Sequence, residues 1–319
     1  VVLGGRPEAA AHELDTLIFR FLMTVKDVLG DPSMSLSISF LLLTMHERSS
    51  IICPSDKGGA MNKLSGSKRV QVIAALVEGN SVRATCRMTG TAKGTVLKLL
   101  ADLGKACARY QDESLRNLPC KTIQCDEIWS FCYAKEKNVP EEFKGKLGFG
   151  DVWTWTALCA DTKIVPSFLV GERSASYAKK FIDDLASRLK SRIQLTTDGH
   201  KAYLTAVENA FGIDVDYAML DKIYATPPVP EVHRYSPAKC CGTRKMKIKG
   251  NPDMAKVSTS YVERQNLTMR MQMRRFTRLT NAFSKKMENL RHAVALHFMH
   301  YNFCRIHQSL RVTPAMEAG

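Results

Sequence analysis

The eleven residues Thr122 to Cys132 (TIQCDEIWSFC) limit the architecture of this chain more than any other stretch. β-Branched and aromatic residues dominate them, which predicts a strand, yet Asp126 and Glu127 sit in its middle. Ile123, Cys125, Ile128, Trp129 and Phe131 surround the acidic pair on both faces, so the strand is expected at the centre of a sheet. Buried carboxylates without a partner are costly, and a cation is expected to meet at least one of them. Successive side chains of a strand point to opposite faces, so only one of the pair is expected to enter a given site. An edge strand with solvated charges is the rival reading.

The following residues extend this strand into a mixed α/β domain. Asp151 to Ala160 alternates in polarity, and Lys163 to Val170 is its expected hairpin partner through Asp161-Thr162. A helix is predicted from about Ala175 to Lys190, with Tyr177, Phe181, Leu185 and Leu189 on one face. Ile193 to Thr197 reads as a short strand ending at Asp198-Gly199-His200, Ala202 to Phe211 as a helix, and Asp214 to Leu220 as a fifth strand. Three strands, a helix and another strand describe the first part of a ribonuclease-H-like arrangement. In it the first and fourth strands are neighbours, which would bring Asp126 and Asp198 together. Asp198-Gly199 is equally an ordinary turn signal; its weight comes from lying at the carboxyl end of a strand, where sites in α/β sheets gather. Residues 221–258 hold Pro227-Pro228, Pro230, Pro237, Pro252 and a basic run from Arg244 to Lys249, and read as an insertion or long loop outside the core.

A basic helix is predicted to open at Ser258-Thr259-Ser260-Tyr261-Val262-Glu263-Arg264-Gln265-Asn266 and to run towards Lys286. Glu263 is the only acidic residue between Lys256 and Met287, and seven Lys or Arg follow it before that point. Ser260 and Glu263 fit the S-x-x-E capping box, which would turn the carboxylate to the helix start. The other reading makes Glu263 a metal ligand beside Arg264, Arg270, Arg274, Arg275 and Arg278, a cationic run that phosphates would neutralise. A last helix is predicted over roughly Lys286 to Phe303, with His292, His297 and His300 as structural or surface residues.

Before the sheet, residues 61–112 read as helix, short helix, glycine turn and helix. Val70, Ile73, Ala74 and Val77 form an apolar stripe closed by Gly79-Asn80, Ser81 can cap Val82 to Met88, and Gly90 permits a sharp turn. A third helix starts at Thr91 or Ala92 and turns Val96, Leu99, Leu100 and Leu103 inwards. This is the helix-turn-helix pattern, with Lys93, Thr95 and Lys98 on the outer face of the recognition helix and Arg83 and Arg87 near the flanking backbone. An ordinary three-helix bundle with a solvated basic face is the rival. The formal charge of +15 points to an anionic partner, commonly nucleic acid. Residues 1–60 differ, with five Lys or Arg against seven Asp or Glu. They are expected to be translated upstream sequence ahead of a natural start at Met61, poorly ordered or loosely helical. Their apolar run Leu36 to Met45 is too short to span a bilayer, so no membrane partner is expected. Ten cysteines without a CxxC pair give neither a disulfide scaffold nor a zinc site. Cys120, Cys125 and Cys132 are expected to be buried thiols, and Cys240-Cys241 free ones.

Asp126, Asp198 and Glu263, with Arg270 seven residues after the glutamate, resemble the signature of the DDE transposases. The stretches MNKLSGSKRVQVIAALVEGNSVRATCRMTGTAKGTVLKLL, QCDEIWSF, TTDGHKAY, STSYVERQNLTMRMQMRRFTRLTNAFSKK and YNFCRIHQSLRVTPA resemble in particular bacterial transposases of the insertion sequence 1 type. The resemblance implies an α/β fold, with a ribonuclease-H-like catalytic domain over residues 113–319 behind a small all-α helix-turn-helix domain over 61–112. It also implies binding to the terminal inverted repeats of an element and to target DNA, with endonucleolytic strand cleavage and 3′-hydroxyl strand transfer. Asp126, Asp198 and Glu263 would be catalytic and would hold two Mg²⁺ or Mn²⁺ ions, with Asp126 shared between them; His200 and Asn266 would support them, and Arg270 would take the basic place after the glutamate. A homodimer or higher oligomer on paired DNA ends, in the bacterial cytoplasm and associated with the nucleoid, completes the expectation. A DNA-binding repressor without catalysis, from a truncated copy ending at Gly319, and a nuclease on the same fold are the alternatives.

Overall fold

The computed structural model describes residues 64–224, 240–277 and 280–319. Residues 1–60, the prolines from Pro227 to Pro237 and Arg278 therefore lie outside the described residues. The chain divides into two compact units: one runs up to Ser114 and resumes over Met269–Glu317, the other is Leu115–Thr268.

The helical unit begins with α1 (Gly66–Val77), α2 (Val82–Thr89) and α3 (Lys93–Ser114). Ser81 caps α2, its hydroxyl accepting from the Ala84 amide at 3.1 Å. Gly90 ends the helix in the left-handed region with φ 64°, a conformation that costs glycine nothing. The inward face of α1 is centred on Val72 and Ala75; the expected stripe residues Val70, Ile73, Ala74 and Val77 are only half-buried. Val72 closes a core with Val96, Leu99 and Leu103 of α3. Further along α3, Gln111 donates from Nε2 to the Ala295 carbonyl at 3.0 Å, tying it to α7 (Met287–Met299). After α7 the chain makes a π-helical turn, His300–Cys304.

The second unit is a six-stranded sheet in the order β3-β2-β1-β4-β5-β6. Its strands are β1 (Thr122–Cys132), β2 (Gly150–Cys159), β3 (Phe168–Gly171), β4 (Ile193–Asp198), β5 (Val215–Tyr224) and β6 (Cys240–Lys249). β1, β2 and β3 are antiparallel neighbours, β4 and β5 run parallel to β1, and β6 returns antiparallel. Three antiparallel strands followed by two parallel ones, with β1 beside β4, are consistent with a ribonuclease-H-like sheet. Helices α4 (Ala175–Arg188) and α5 (Ala202–Phe211) meet the face that carries Trp155, whose indole contacts Phe181 at 5.9 Å and Tyr203 at 5.5 Å between centroids.

Several sequence expectations change. Residues 221–258 are not simply a loop: β5 continues to Tyr224, and the basic run Arg244 to Lys249 lies on β6, paired along β5. Charged residues are rare inside sheets but tolerated on a solvated outer strand, which is why the pattern was unreadable as β-structure. The basic helix, α6, spans only Ser260–Gln272, and residues 274–276 form a single 3₁₀ turn. Arg270 and Arg274 would be like-charged neighbours four apart if the helix continued, an arrangement that disfavours it. Cys120, Cys125 and Cys132 are buried, Cys240 and Cys241 are exposed, and all five are reduced. Among the described residues no helix is long and apolar enough to cross a membrane.

Helices α3 and α7 approach so closely that a Cβ on Gly104 would lie 2.4 Å from His292 Cβ and 2.5 Å from its Cα. Elsewhere in a helix, Gly→Ala gains about 1 kcal/mol. Here overpacking, which costs roughly 1–3 kcal/mol, is expected to outweigh that gain. Gly104→Ala should lower the thermal midpoint of the chain, and calorimetry showing a raised midpoint would contradict this packing.

Candidate metal centre

The parallel ladder between β1 and β4 pairs Thr122 with Gln194 and ends with Cys125 beside Thr197. One step further lie Asp126 and Asp198, so the two carboxylates stand side by side where the ladder ends and no backbone pairing separates them. The strand alternation puts Gln124 and Asp126 on one face. Glu127, in register with Trp155 of β2, belongs to the other.

Alternation does not keep Glu127 out of the site, as the sequence pattern predicts. Asp126, Glu127 and Asp198 each offer an oxygen, and these atoms lie within 4.8 Å of one another. Asp198, the last residue of its strand, is within reach of both of the others. Its Oδ1 accepts the His200 backbone amide at 3.1 Å, and its Oδ2 accepts from Arg173 at 3.4 Å. The same guanidinium donates through Nε to Glu127 Oε2 at 3.1 Å and lies over the Trp153 ring at 4.9 Å. Arg173 thus links the carboxylates of the two faces.

Burial, followed by repulsion from Asp198, pushes the Asp126 carboxyl up to about 7; the neighbouring Glu263 charge raises it further, while hydrogen bonds from the Glu127 backbone and Asn266 oppose the shift. Glu127 rises to about 7 for the same first two causes, with the Tyr203 hydroxyl and Arg173 working the other way. Asn266 Oδ1 is buried without a hydrogen-bond partner. Crowded carboxyl oxygens with an unfilled acceptor suit a hard divalent cation such as Mg²⁺, which is bound through oxygen. Burial lowers the His200 pKa, with Arg173 adding to the effect and Asp198 opposing it, so this imidazole stays neutral.

Helix α6 brings the remaining residues of the site. Buried Gln124 of β1 accepts the Tyr261 and Val262 amides on one oxygen, at 2.9 and 3.2 Å, and so satisfies two donors that a helix start leaves unpaired. The capping box read from Ser260 is absent: the Ser260 amide goes to Ser258 Oγ at 3.1 Å. Glu263 is therefore not consumed by the cap. It accepts from Thr259 Oγ1 and is paired with Lys222 of β5. Burial disfavours the Lys222 ammonium, but the hydrogen bond and charge of Glu263 together hold its pKa above the ordinary value. One turn on, Asn266 donates from Nδ2 to Asp126 Oδ2 at 2.8 Å.

The structure thus joins Asp126 and Asp198 directly, and Asn266 and His200 to one each. Glu263 lies near enough to act on Asp126, but outside the 4.8 Å group. Arg264 is exposed on α6, and Arg270 falls in the helical unit, as do Arg83, Arg87, Lys93, Thr95, Lys98, Arg274 and Arg275. Glu127, Arg173, Lys222 and Gln124 escaped the sequence reading. Only Glu127 carried a signal, its place beside Asp126 within an apolar strand.

No protein-family model and no curated protein matches this chain. Among solved structures it is similar to a piggyBac transposase synaptic complex with hairpin DNA, at 11% identity over 88% of this chain and 75% of that one, with a TM-score of 0.36. It is also similar to the Mos1 strand transfer complex, at 10% identity over 100% of this chain and 99% of that one, with a TM-score of 0.22. At such scores the fold and the site stand on the chain's own topology and carboxylates.

Two outcomes are expected. A carboxyl raised to about 7 in the folded chain, against 3.8 for an ordinary Asp, binds its proton between those values only when folded. Metal-free protein should therefore lose stability as pH rises through that window, and Asp126→Asn should lose less; equal pH dependence in denaturant titrations would refute the shift. Gln124→Leu should leave two helix-start amides unpaired, at about 1–3 kcal/mol each. It should raise amide hydrogen exchange at Tyr261 and Val262, and unchanged protection there would count against the capping role.

Proposed function

We propose that this chain is a DDE-type DNA transposase, with Asp126, Asp198 and Glu263 as its catalytic carboxylates. The observation that carries the reading is the placing of Asp126 and Asp198 one position past the last pair of the parallel β1–β4 ladder, with Asn266 from the Glu263 helix bonded to Asp126. In this reading Asp126, Asp198 and Glu263 would hold two Mg²⁺ or Mn²⁺ ions, and Glu127 would offer a further oxygen. When bound, the ions activate the attacking oxygen and stabilise the leaving one in an in-line displacement at phosphorus.

The chain's own residues prepare that site. Asn266 holds Asp126 through Oδ2, and the His200 amide and Arg173 hold Asp198 through Oδ1 and Oδ2. Arg173 balances the buried negative charge until a cation shares it, and Lys222 does the same for Glu263. The first reaction is hydrolysis at an element end: water attacks phosphorus, the proton passes to solvent, and the 3′-oxygen leaves with the bonding pair. In the second, the freed 3′-hydroxyl attacks a target phosphodiester and displaces its 3′-oxygen.

The resemblance to insertion sequence 1 transposases supports the finer assignments. In them α1 to α3 form a helix-turn-helix over residues 61–112 that binds terminal inverted repeats, through Lys93, Thr95 and Lys98 with Arg83 and Arg87 on phosphates. Arg264, Arg270, Arg274, Arg275 and Arg278 position the DNA near the catalytic domain, residues 113–319. The unit works as a dimer or larger oligomer on paired ends, in the bacterial cytoplasm.

Strand transfer of a labelled duplex bearing the element end tests the reading. Joined product should require Mg²⁺, vanish with EDTA, and be lost at least about a thousandfold in Asp126→Asn and Glu263→Gln, in keeping with removal of a group acting on the transition state. Both variants should still bind the end. A Glu263→Gln protein that still cuts removes Glu263 from the site; cutting without joining makes the chain a nuclease, and binding without cutting makes it a repressor.

A further inference from the structure

The helical unit contains a cavity of about 630 Å³ that the carboxylate chemistry does not use. Six cationic residues line it: Arg83 and Arg87 from α2, Lys93 at the start of α3, and Arg274, Arg275 and Lys285 from the segment after α6. No carboxylate lines it among the described residues. Its apolar wall is formed by Leu97, Leu100, Met273 and Leu296, with the Phe283 ring beside them.

One histidine belongs to the wall of the cavity. His297 of α7 lines it, is only 6% exposed, and has Nε2 without a hydrogen-bond partner. Burial, with His300 and Arg305 adding their charge, lowers its pKa to about 3, so the ring is neutral and offers a hydrogen bond rather than a charge. His297 was read from the sequence as structural, and its helix position alone gives no other reason for an unpaired ring nitrogen. An unsatisfied buried polar group of this kind calls for a ligand or an ordered water.

We propose that this cavity binds one unpaired nucleotide of a DNA strand, its phosphates on the six cations and its base against the apolar wall. The inference rests on the reading that the partner is DNA, and it names a part of that partner which the helix-turn-helix assignment does not require. Charge complementarity selects an anion. The apolar wall selects against an inorganic anion alone, because burying phosphate there would gain nothing from Leu97, Leu100 and Phe283. Volume excludes a duplex: a cavity of a few hundred cubic ångströms encloses a drug-sized group, whereas paired bases stay stacked inside their helix. A base taken out of the stack has an apolar face that Leu97, Leu100 and the Phe283 ring can cover, and its phosphate stays with the cations.

Binding by the full chain carrying Asp126→Asn, in EDTA, tests the proposal separately from the metal chemistry. The probes are a fluorescent duplex with a three-nucleotide unpaired dT tail, the same duplex blunt, and the same duplex with an abasic tail. The dT-tailed duplex should bind at least tenfold more tightly than the blunt one, and the abasic tail should lose most of that preference. Leu97→Trp, which fills the cavity, should abolish the preference. Arg87→Ala with Arg274→Ala, both at exposed positions and safe for folding, should also weaken tailed binding at least tenfold. Equal binding of tailed and blunt duplexes overturns the proposal. So does an abasic tail as good as dT, which would make the cavity a phosphate groove only, or a preference that survives in both variants. A chain that joins DNA ends with Mg²⁺ yet shows no tail preference keeps the transposase reading and loses this one.

Discussion

Crowding carboxylates in a partly buried place is the constraint on which the sheet unit is organised. Asp126, Glu127 and Asp198 share a space less than 5 Å across, and burial with mutual repulsion drives two of them towards neutrality. A fold optimised for stability alone would not place acidic residues in the middle of its central strand, where apolar side chains pack better. The compensations are visible one by one: Arg173 between Glu127 and Asp198, Lys222 on Glu263, Asn266 on Asp126, and a backbone amide on Asp198. They leave the Asn266 acceptor open beside three crowded carboxylates, one of which also lies against the Tyr203 hydroxyl.

Holding that arrangement depends on a polar residue with no chemistry of its own. Gln124 is two residues before Asp126 on the same face of β1, and its side chain receives the first amides of the helix bearing Glu263 and Asn266. The position of Glu263 is therefore set from the strand that carries Asp126. On the opposite face, Trp155 with Phe181 and Tyr203 gives the sheet its packed side and walls in Glu127. Polar attachment on one face and aromatic packing on the other make the two sides of β1 do different work.

Much of the sheet could be read from residue patterns. The strand around Asp126, the helix ending near Arg188, the strand ending at Asp198 and the helix Ala202–Phe211 follow from alternation, helical spacing and turn residues, which are local properties. β6 was missed because Arg244 to Lys249 has the composition of a solvated loop, and only its pairing with β5 makes it a strand. The early end of α6 was missed for the converse reason, since apolar spacing continues to Phe283 while the backbone turns at Met273. Glu127 was set aside by the alternation rule, which holds within a strand but says nothing of a neighbour that ends beside it.

By itself, the sequence determined the types and order of the elements from α1 to β5, the acidic residues placed where only a partner could justify them, and the excess of positive charge. These depend on neighbours within a few residues and on composition. Only the tertiary structure decided which of the acids meet, that Arg173 and Lys222 offset them, and that cations from α2, α3 and the segment after α6 converge on one cavity with His297. Such groupings join residues tens to more than two hundred positions apart. They follow from strand order and helix packing, which no local pattern encodes.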